Sequence, residues 1–165
     1  MKILITTELY LPFRCGVTSA IEAERCALEK KGDEVRILTI SSNKKSYYDS
    51  SLKTWYIAQS LPQFYKDSYA SLNVHDKILL SLYEWKPDII HSQTEFFSFR
   101  FAQHIANKLN LPLVHTCHTD FVSYTVHFTR FIKAWNYFTS LLVPLFIRRA
   151  DCYLCCKLLP LSECS

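Results

Sequence analysis

The stretches KILITT at residues 2–7 and EVRILTI at residues 34–40 decide the fold of this 165-residue chain. Each is a short apolar, β-branched run with the length and composition of a buried strand. Between them, apolar residues recur at helical spacing from Ala20 to Leu28, and Gly32 follows two lysines as a helix stop signal. This opening segment therefore predicts a strand–helix–strand unit, whose crossover is right-handed in nearly all proteins.

The alternation of strands and helices continues beyond this first unit. Hydrophobic periodicity predicts helices 78–85 and 99–109 and strands 88–91 and 113–116. It also predicts one short strand, 55–57, inside a polar, weakly periodic stretch. Such alternation predicts an α/β fold, a Rossmann-like three-layer sandwich with a mostly parallel sheet. Ligands of these sheets bind at the carboxyl ends of strands where the winding reverses, so the loops after Thr7, His91 and Thr116 form the candidate site.

Composition excludes several classes of protein. The chain is 49% hydrophobic and 21% charged with only 2 glycines, which fits one packed domain and disfavours disorder or repeats. The net charge is +4 with scattered lysines and arginines, so we expect no nucleic-acid partner. The 7 cysteines and the lack of a visible secretory signal favour reduced thiols in the cytoplasm. The longest nearly uncharged run, residues 134–147, is too short to span a bilayer.

Polar residues cluster in the candidate loops. Gly16 opens the helix after the first strand, where unpaired backbone N–H groups attract phosphate. The alternative at this position is an ordinary turn capped by Thr18 or Ser19. His91 and His115 end two further strands, and each taken alone is equally explained as a hydrogen-bonded structural histidine. Neither a Gly-x-Gly-x-x-Gly nor a Gly-x-Ser-x-Gly motif is present, which disfavours dinucleotide binding and hydrolase activity.

Six short motifs follow one another through about the first 150 residues. They are Thr7-Glu8-Leu9-Tyr10-Leu11-Pro12, Gly16-Val17-Thr18-Ser19, Lys31-Gly32-Asp33-Glu34-Val35, Lys86-Pro87-Asp88-Ile89-Ile90-His91, Thr94-Glu95-Phe96 and His115-Thr116-Cys117-His118-Thr119-Asp120. Taken in this order, they resemble the family-4 retaining glycosyltransferases of the GT-B fold. Within that family the chain is most similar to bacterial diacylglycerol glucosyltransferases.

The resemblance implies a two-domain enzyme whose amino-terminal half receives the acceptor and whose carboxy-terminal half holds the nucleotide sugar. This chain resembles only the first half. The implied activity is transfer of glucose or a similar hexose from UDP-glucose or another nucleotide sugar to a lipid or membrane-anchored acceptor, with no cofactor and no metal. The implied location is the cytoplasm, at the inner face of the cell membrane. The alternative of a different class is a non-catalytic α/β binding or interaction domain.

The same resemblance implies roles for individual residues. His118 matches the histidine that contacts the donor sugar near the reacting centre and is the catalytic candidate. Gly16 matches the turn that approaches the donor diphosphate, although Cys15 stands where many members have glycine or a small polar residue. Four further residues match positions that line the cleft and are candidate substrate contacts: Glu8, Thr94, Glu95 and Asp120.

The carboxy-terminal residues depart from the family pattern. After Arg149-Ala150-Asp151 the family continues into a linker and a second domain, whereas here residues 152–165 hold four of the 7 cysteines. We expect residues 1–150 to form the amino-terminal glycosyltransferase domain and residues 151–165 to be a truncation of the sixth strand and linker, which leaves the chain inactive by itself. The alternative is a zinc site, because Cys-x-x-Cys spacing suits thiolate binding. Its ligands would be Cys152, Cys155, Cys156 and Cys164.

Residues 127–149 are rich in aromatic and basic side chains. As a helix, this segment is expected to lie on an anionic membrane, with rings at the interface and cations on the headgroups. The alternative is that its rings pack against the rest of the domain, because buried helices are also rich in aromatic residues.

Overall fold

The structure is a computed structural model that describes residues 1–62 and 69–118 and the backbone of residues 152–155. The described strands are β1 (Lys2–Thr6), β2 (Glu34–Ser41), β3 (Tyr47–Asp49), β4 (Thr54–Ala58), β5 (Ile89–Ser92), β6 (Leu113–Cys117) and β7 (Cys152–Cys155). The described helices are α1 (Gly16–Lys30), α2 (Leu79–Trp85) and α3 (Phe97–Leu109). Strands and helices alternate along the chain, which confirms the predicted α/β fold.

All described strands form one sheet in the order β3-β4-β2-β1-β5-β6-β7. The pairs from β4 to β7 are parallel, and β3 runs antiparallel to β4 at one edge. The chain proceeds from β1 outward to β2 and β4 and then returns to β5 on the other side of β1. The winding therefore reverses between β1 and β5, and the prediction of a mostly parallel sheet is confirmed.

Successive side chains of a strand point to opposite faces of the sheet, and here apolar side chains are buried on both faces. On one face Ile3 and Ile5 of β1 pack with Ile21 of α1. On the other face Leu4 of β1 packs in a larger cluster with Ile105 of α3. Helices thus cover both faces of a central sheet and make the three layers that the sequence predicts.

Helix α1 begins at Gly16, the residue predicted to open the helix. The backbone N–H of Cys15 donates to the Thr18 hydroxyl at 2.7 Å, and the same hydroxyl lies 2.9 Å from the Cys15 carbonyl oxygen. Thr18 therefore closes the first turn from within the helix. Val17 in this turn lies four residues before Ile21 and packs against the same cluster, so the apolar side of the helix extends to its first turn.

Strands β3 and β7 lie in segments for which the sequence predicts no strand or a truncated one. Strand β3 is unpredicted, and it forms because Tyr47 stacks on Tyr56 of β4 with ring centroids 4.8 Å apart. Strand β7 pairs with β6 inside the segment expected to truncate the sixth strand. The domain limits at residue 150 and the truncation itself stay predictions.

Three features of the sequence fall partly or wholly outside the described residues: segment 127–149, Asp120 and the side chains of the carboxy-terminal cysteines. Within the described ranges no helix is long and apolar enough to cross a membrane. The same ranges contain no group of three or more histidine, cysteine or acidic side chains able to hold a metal ion. The membrane-surface and zinc interpretations therefore stay predictions.

Candidate active site

The carboxyl ends of β1, β5 and β6 lie side by side at one edge of the sheet, called here the carboxyl edge. The loops that follow β1 and β5 border the point where the winding reverses, which is where open α/β sheets bind ligands. The structure brings to this edge five predicted site residues: Glu8, Gly16, Thr94, Glu95 and His118. The sixth, Asp120, lies outside the described residues.

On the α1 side of the edge, five polar side chains form one hydrogen-bonded group, called here the His118 network. One oxygen of the Glu24 carboxylate lies 2.6 Å from Nδ1 of His91, and the other accepts from the Gln93 amide at 2.6 Å. Nε2 of His91 lies 2.7 Å from the Thr116 hydroxyl. Gln93 also bonds through its oxygen to Nε2 of His118. The network therefore links the middle of α1 to the predicted catalytic histidine.

Burial and neighbouring charge favour the neutral form of two histidines near this edge. Partial burial lowers the pKa of His118, His91 adds to that effect and Glu24 opposes it. Burial lowers the pKa of His115 to about 4, and its ring lies edge-on to Phe99 with centroids 4.7 Å apart. His115 is therefore enclosed on the α3 side, which fits the structural alternative, whereas His118 is half-buried at the edge.

On the α3 side of the edge, Glu8 and Thr94 join two loops. The Glu8 carboxylate accepts the backbone N–H of Phe97, at the beginning of α3. The backbone N–H of Glu8 donates to the Thr94 hydroxyl at 3.0 Å, and Thr94 also bonds to Ser98. Burial raises the pKa of Glu8 to about 7, although backbone N–H groups lower it in part. The polar atoms of this pair thus hold the β1 loop against α3.

Gly16 and Glu95 differ sharply in exposure. A Cβ added at Gly16 would meet no atom within 4 Å, so the fold does not require glycine there and the space beside the start of α1 is open. Backbone N–H groups at such a helix start attract anions. Glu95 is only 7% exposed and adds to the raised pKa of Glu8 through its charge. Its assignment as a substrate contact stays a prediction.

A cleft of about 450 Å³ lies beside the β1 loop, within the size range of small-molecule sites. Polar and apolar groups share its lining about equally, and Glu8, two serines and one asparagine are among the polar residues. We call it the tyrosine cleft, and its apolar and aromatic lining residues are Leu9, Tyr10, Leu11, Pro12, Phe13, Ile40, Tyr47, Tyr56 and Tyr69. The Tyr56 hydroxyl donates to the Leu11 carbonyl oxygen at 2.9 Å, which ties β4 to the β1 loop beneath the cleft.

Sequence analysis does not identify Glu24, Gln93 or the tyrosine cleft. One signal for Glu24 is present: it lies three residues after Ile21 and four before Leu28, so it interrupts the apolar stripe of α1. A charged residue on the inward face of a helix needs a polar partner. No comparable local pattern marks Gln93, whose partners come from α1 and the end of β6.

The chain resembles two curated relatives along most of its length. It is 30% identical over 158 residues to the alpha-monoglucosyldiacylglycerol synthase of Streptococcus pneumoniae (strain ATCC BAA-255 / R6). The aligned residues make up 94% of this chain and 35% of the relative. It is 31% identical over 137 residues to the alpha-monoglucosyldiacylglycerol synthase of Acholeplasma laidlawii, with coverage of 80% and 33%. The chain thus spans about a third of the length of the curated relatives it matches.

The chain also matches a solved structure and a family model. A structure of an alpha-glucosyltransferase with UDP and a 13-mer DNA containing an HMU base overlaps 94% of this chain and 37% of its own, with 19% identity and a TM-score of 0.48. The family model for Glycosyltransferase Family 4 matches residues 16–157. Since that match includes most of the chain, the chain belongs to glycosyltransferase family 4.

Proposed function

We propose that this chain forms the acceptor-side half of a retaining glycosyltransferase that moves glucose, or a similar hexose, from a nucleotide sugar to diacylglycerol or a related lipid. Family membership supports glycosyl transfer, and the names of both curated relatives describe synthesis of a glucosylated diacylglycerol. In this proposal UDP-glucose is the donor, and a second domain supplies most of the donor site. No cofactor and no metal take part.

The observation that carries the proposal is the position of His118. Its ring is half-buried at the carboxyl edge, one strand away from the reversal point of the sheet, and is held by the buried Gln93 amide, which follows β5 at that point. A neutral imidazole fixed in this way can accept a hydrogen bond from a sugar hydroxyl and orient the hexose. Orientation of bound groups alone accounts for a large share of many enzymatic rate enhancements.

The start of α1 supplies the second part of the proposed mechanism. Departure of the nucleoside diphosphate leaves negative charge on its oxygens, and preorganised N–H groups stabilise developing charge in a site that excludes water. Gly16 is exposed and has open space around its Cα. A diphosphate can therefore approach the backbone at the positive end of the helix dipole without meeting a side chain.

The tyrosine cleft supports a lipid acceptor. Its walls combine apolar surface with phenol hydroxyls, which suits a molecule with a polar glycerol end and an apolar remainder. We place the glycerol end of the acceptor in this cleft, beside the β1 loop. The acyl chains would stay in the membrane, and segment 127–149, outside the described residues, would contact anionic headgroups.

The test is transfer of labelled glucose from UDP-glucose to diacylglycerol in anionic vesicles. Two proteins are compared: the 165-residue chain alone, and the same chain joined to the part of the Streptococcus pneumoniae relative that it does not match. We expect no transfer by the chain alone and transfer by the fusion. We also expect vesicle binding to weaken as salt rises, because exposed charges are screened within about 8 Å at physiological ionic strength.

The unmodified Streptococcus pneumoniae protein serves as the positive control for this assay. A fusion that is folded and binds UDP-glucose, yet transfers no glucose under conditions where the control does, would contradict the proposal. That result would favour a non-catalytic α/β binding or interaction domain.

A further inference from the structure

The side chain of Gln93 lies between a carboxylate and an imidazole, and the chemistry of the carboxylate determines its orientation. An ionised glutamate can only accept hydrogen bonds. The Gln93 atom that lies 2.6 Å from Glu24 Oε2 must therefore be the amide nitrogen. It follows that the amide oxygen is the atom facing Nε2 of His118.

This orientation fixes the position of a hydrogen atom on His118. An amide oxygen can only accept, so Nε2 of His118 must donate and must carry the hydrogen. A neutral imidazole has one ring hydrogen, which leaves Nδ1 as the acceptor of the ring. Gln93 is only 1% exposed, so water does not readily replace it as the partner.

We propose that Glu24 is a positioning residue that, through Gln93, holds His118 in the tautomer with the hydrogen on Nε2 and presents Nδ1 as an acceptor. Glu24 performs this task with one oxygen and binds His91 Nδ1 with the other. Without Glu24, the Gln93 amide nitrogen is left with its longer contacts to the His91 ring, at 3.3 and 3.4 Å, and the amide can rotate by half a turn and offer its NH₂ group to His118. Rotation would reverse the direction of the hydrogen bond to His118 and release its tautomer.

For catalysis, this assignment rests on the proposed function, in which His118 contacts the donor sugar. A neutral ring with its acceptor at Nδ1 takes a hydroxyl of a hexose as hydrogen-bond donor. The same ring repels a carboxylate or phosphate oxygen, which can only accept. Glu24 would thus favour a neutral hexose over an anionic sugar at this position, although it does not touch the sugar itself.

The test measures the tautomer directly on the 165-residue chain with ¹⁵N-labelled histidine. Long-range ¹H–¹⁵N spectra at pH 8 report which ring nitrogen carries the hydrogen, and exchange with water reports its protection. In the parent we expect the His118 hydrogen on Nε2. In Glu24→Leu we expect exchange about tenfold faster and a mixture of tautomers, because the constraint on Gln93 is lost. Leucine suits this position because it lies in the apolar stripe between Ile21 and Leu28.

Glu29→Leu is the matched control, since it removes a glutamate of the same helix that pairs with Arg25 and Lys53 and not with the His118 network. The control should leave the His118 spectrum unchanged. A hydrogen on Nδ1 in the parent would overturn the proposal, whether or not any variant folds. An unchanged His118 spectrum in Glu24→Leu would overturn it equally.

A second measurement separates this proposal from the proposed function. In the fusion described above, Glu24→Leu is expected to lower kcat about tenfold with little change in KM, because a misoriented group affects the transition state more than substrate binding. An inactive parent fusion would contradict the proposed function, while the spectra would still decide the role of Glu24. An active fusion whose kcat is unaffected by Glu24→Leu would contradict the positioning role.

Discussion

The two sides of the carboxyl edge use polar side chains in different ways. On the α1 side, Glu24 bonds to side chains, and the series of bonds ends at the half-buried ring of His118. On the α3 side, the Glu8 carboxylate bonds to the backbone N–H of Phe97. The first arrangement holds a ring at the carboxyl edge, and the second fastens a loop to a helix. Two acidic side chains near one edge of the sheet thus have different kinds of partner.

The two sides also differ in how burial and charge shift the pKa values of their side chains. Burial is the largest influence on the α3 side, where the pKa of Glu8 rises to about 7 and that of His115 falls to about 4, and both shifts favour neutral groups. On the α1 side the charge of Glu24 opposes the effect of burial on His118. A water-poor structural region and a charged, partly open region thus lie on opposite faces of one sheet.

The largest expected effect is on turnover when His118 is replaced. In the fusion to the donor half, His118→Ala should lower kcat about a thousandfold, because the ring is proposed to orient the reacting sugar. The thermal midpoint should stay near that of the parent, since the ring is only half-buried. Activity and thermal unfolding are measured on the same preparations.

His75→Ala is the control for this substitution, because His75 is exposed and contacts His104 at a ring-centroid distance of 5.2 Å. It should leave both measurements unchanged. A collapsed midpoint in His118→Ala with full activity per folded molecule would make His118 structural, and the two sides of the edge would then be alike.

The second effect is on stability and concerns the α3 side. Because the pKa of Glu8 is raised from 4.5 to about 7 in the folded chain, its stabilising contribution is complete below pH 4.5 and is lost as the pH rises toward 7. Glu8→Gln keeps an oxygen for the Phe97 N–H and removes the charge. At pH 8 this variant should be more stable than the parent by about 2–3 kcal/mol, and near pH 4 the two should be equal. Denaturant unfolding across this range measures both.

The contribution of His115 to stability depends on pH in the opposite direction from that of Glu8, which provides an internal check. Its pKa is lowered from 6.5 to about 4, so its contribution is complete above pH 6.5 and is lost as the pH falls toward 4. In the parent, Glu8 adds stability as the pH falls and so offsets part of the loss from His115. The Glu8→Gln variant lacks this gain, so it should lose stability more steeply on acidification than the parent. Glu84→Gln, at an exposed position of α2, should reproduce the parent profile. Identical profiles for the parent and Glu8→Gln would show that Glu8 is not enclosed.

The smallest effect distinguishes the two glycines of the chain. Gly16→Ala should leave stability unchanged or raise it by up to about 1 kcal/mol, while lowering turnover of the fusion about tenfold by obstructing the approach of the diphosphate. Gly32, with φ of +88°, should respond in the opposite way, with lower stability and normal turnover per folded molecule. Full turnover in Gly16→Ala would remove the start of α1 from the proposed donor site.

Strands buried on both faces were predictable from the sequence, whereas elements that depend on partners were not. β1, β2, β5 and β6 each contain two or three adjacent apolar residues, because both of their faces are covered, and each was predicted within one residue of its bounds. β3 has only three residues and depends on the stacking of Tyr47 on Tyr56. Such pairing is tertiary and leaves no periodic signal in so short a segment.

The residues of the candidate site also separate into those that the sequence predicts and those that depend on tertiary contacts. The alternation of strands and helices places both His118 and Gly16 at the carboxyl ends of strands, and the motifs already assign them to a site, so their position at one edge was predictable from the sequence. The bond between Gln93 and Glu24 joins residues 69 positions apart in sequence. No local pattern encodes such a contact, since it depends on how α1 lies across β5. Glu8 combines both kinds of contact, because it lines the tyrosine cleft near its motif while its carboxylate binds the distant start of α3.

The central place of β1 has a consequence for synthesis on the ribosome. β1 ends at Thr6 and its first neighbour β2 at Ser41, but its second neighbour β5 is complete only at Ser92. At about 5–20 residues per second, several seconds pass between the emergence of these two partners. During that interval one edge of the nascent central strand has backbone groups with no neighbouring strand, which is the condition that favours pairing between chains. Slow translation before Ser92 would therefore increase aggregation more than slow translation after it.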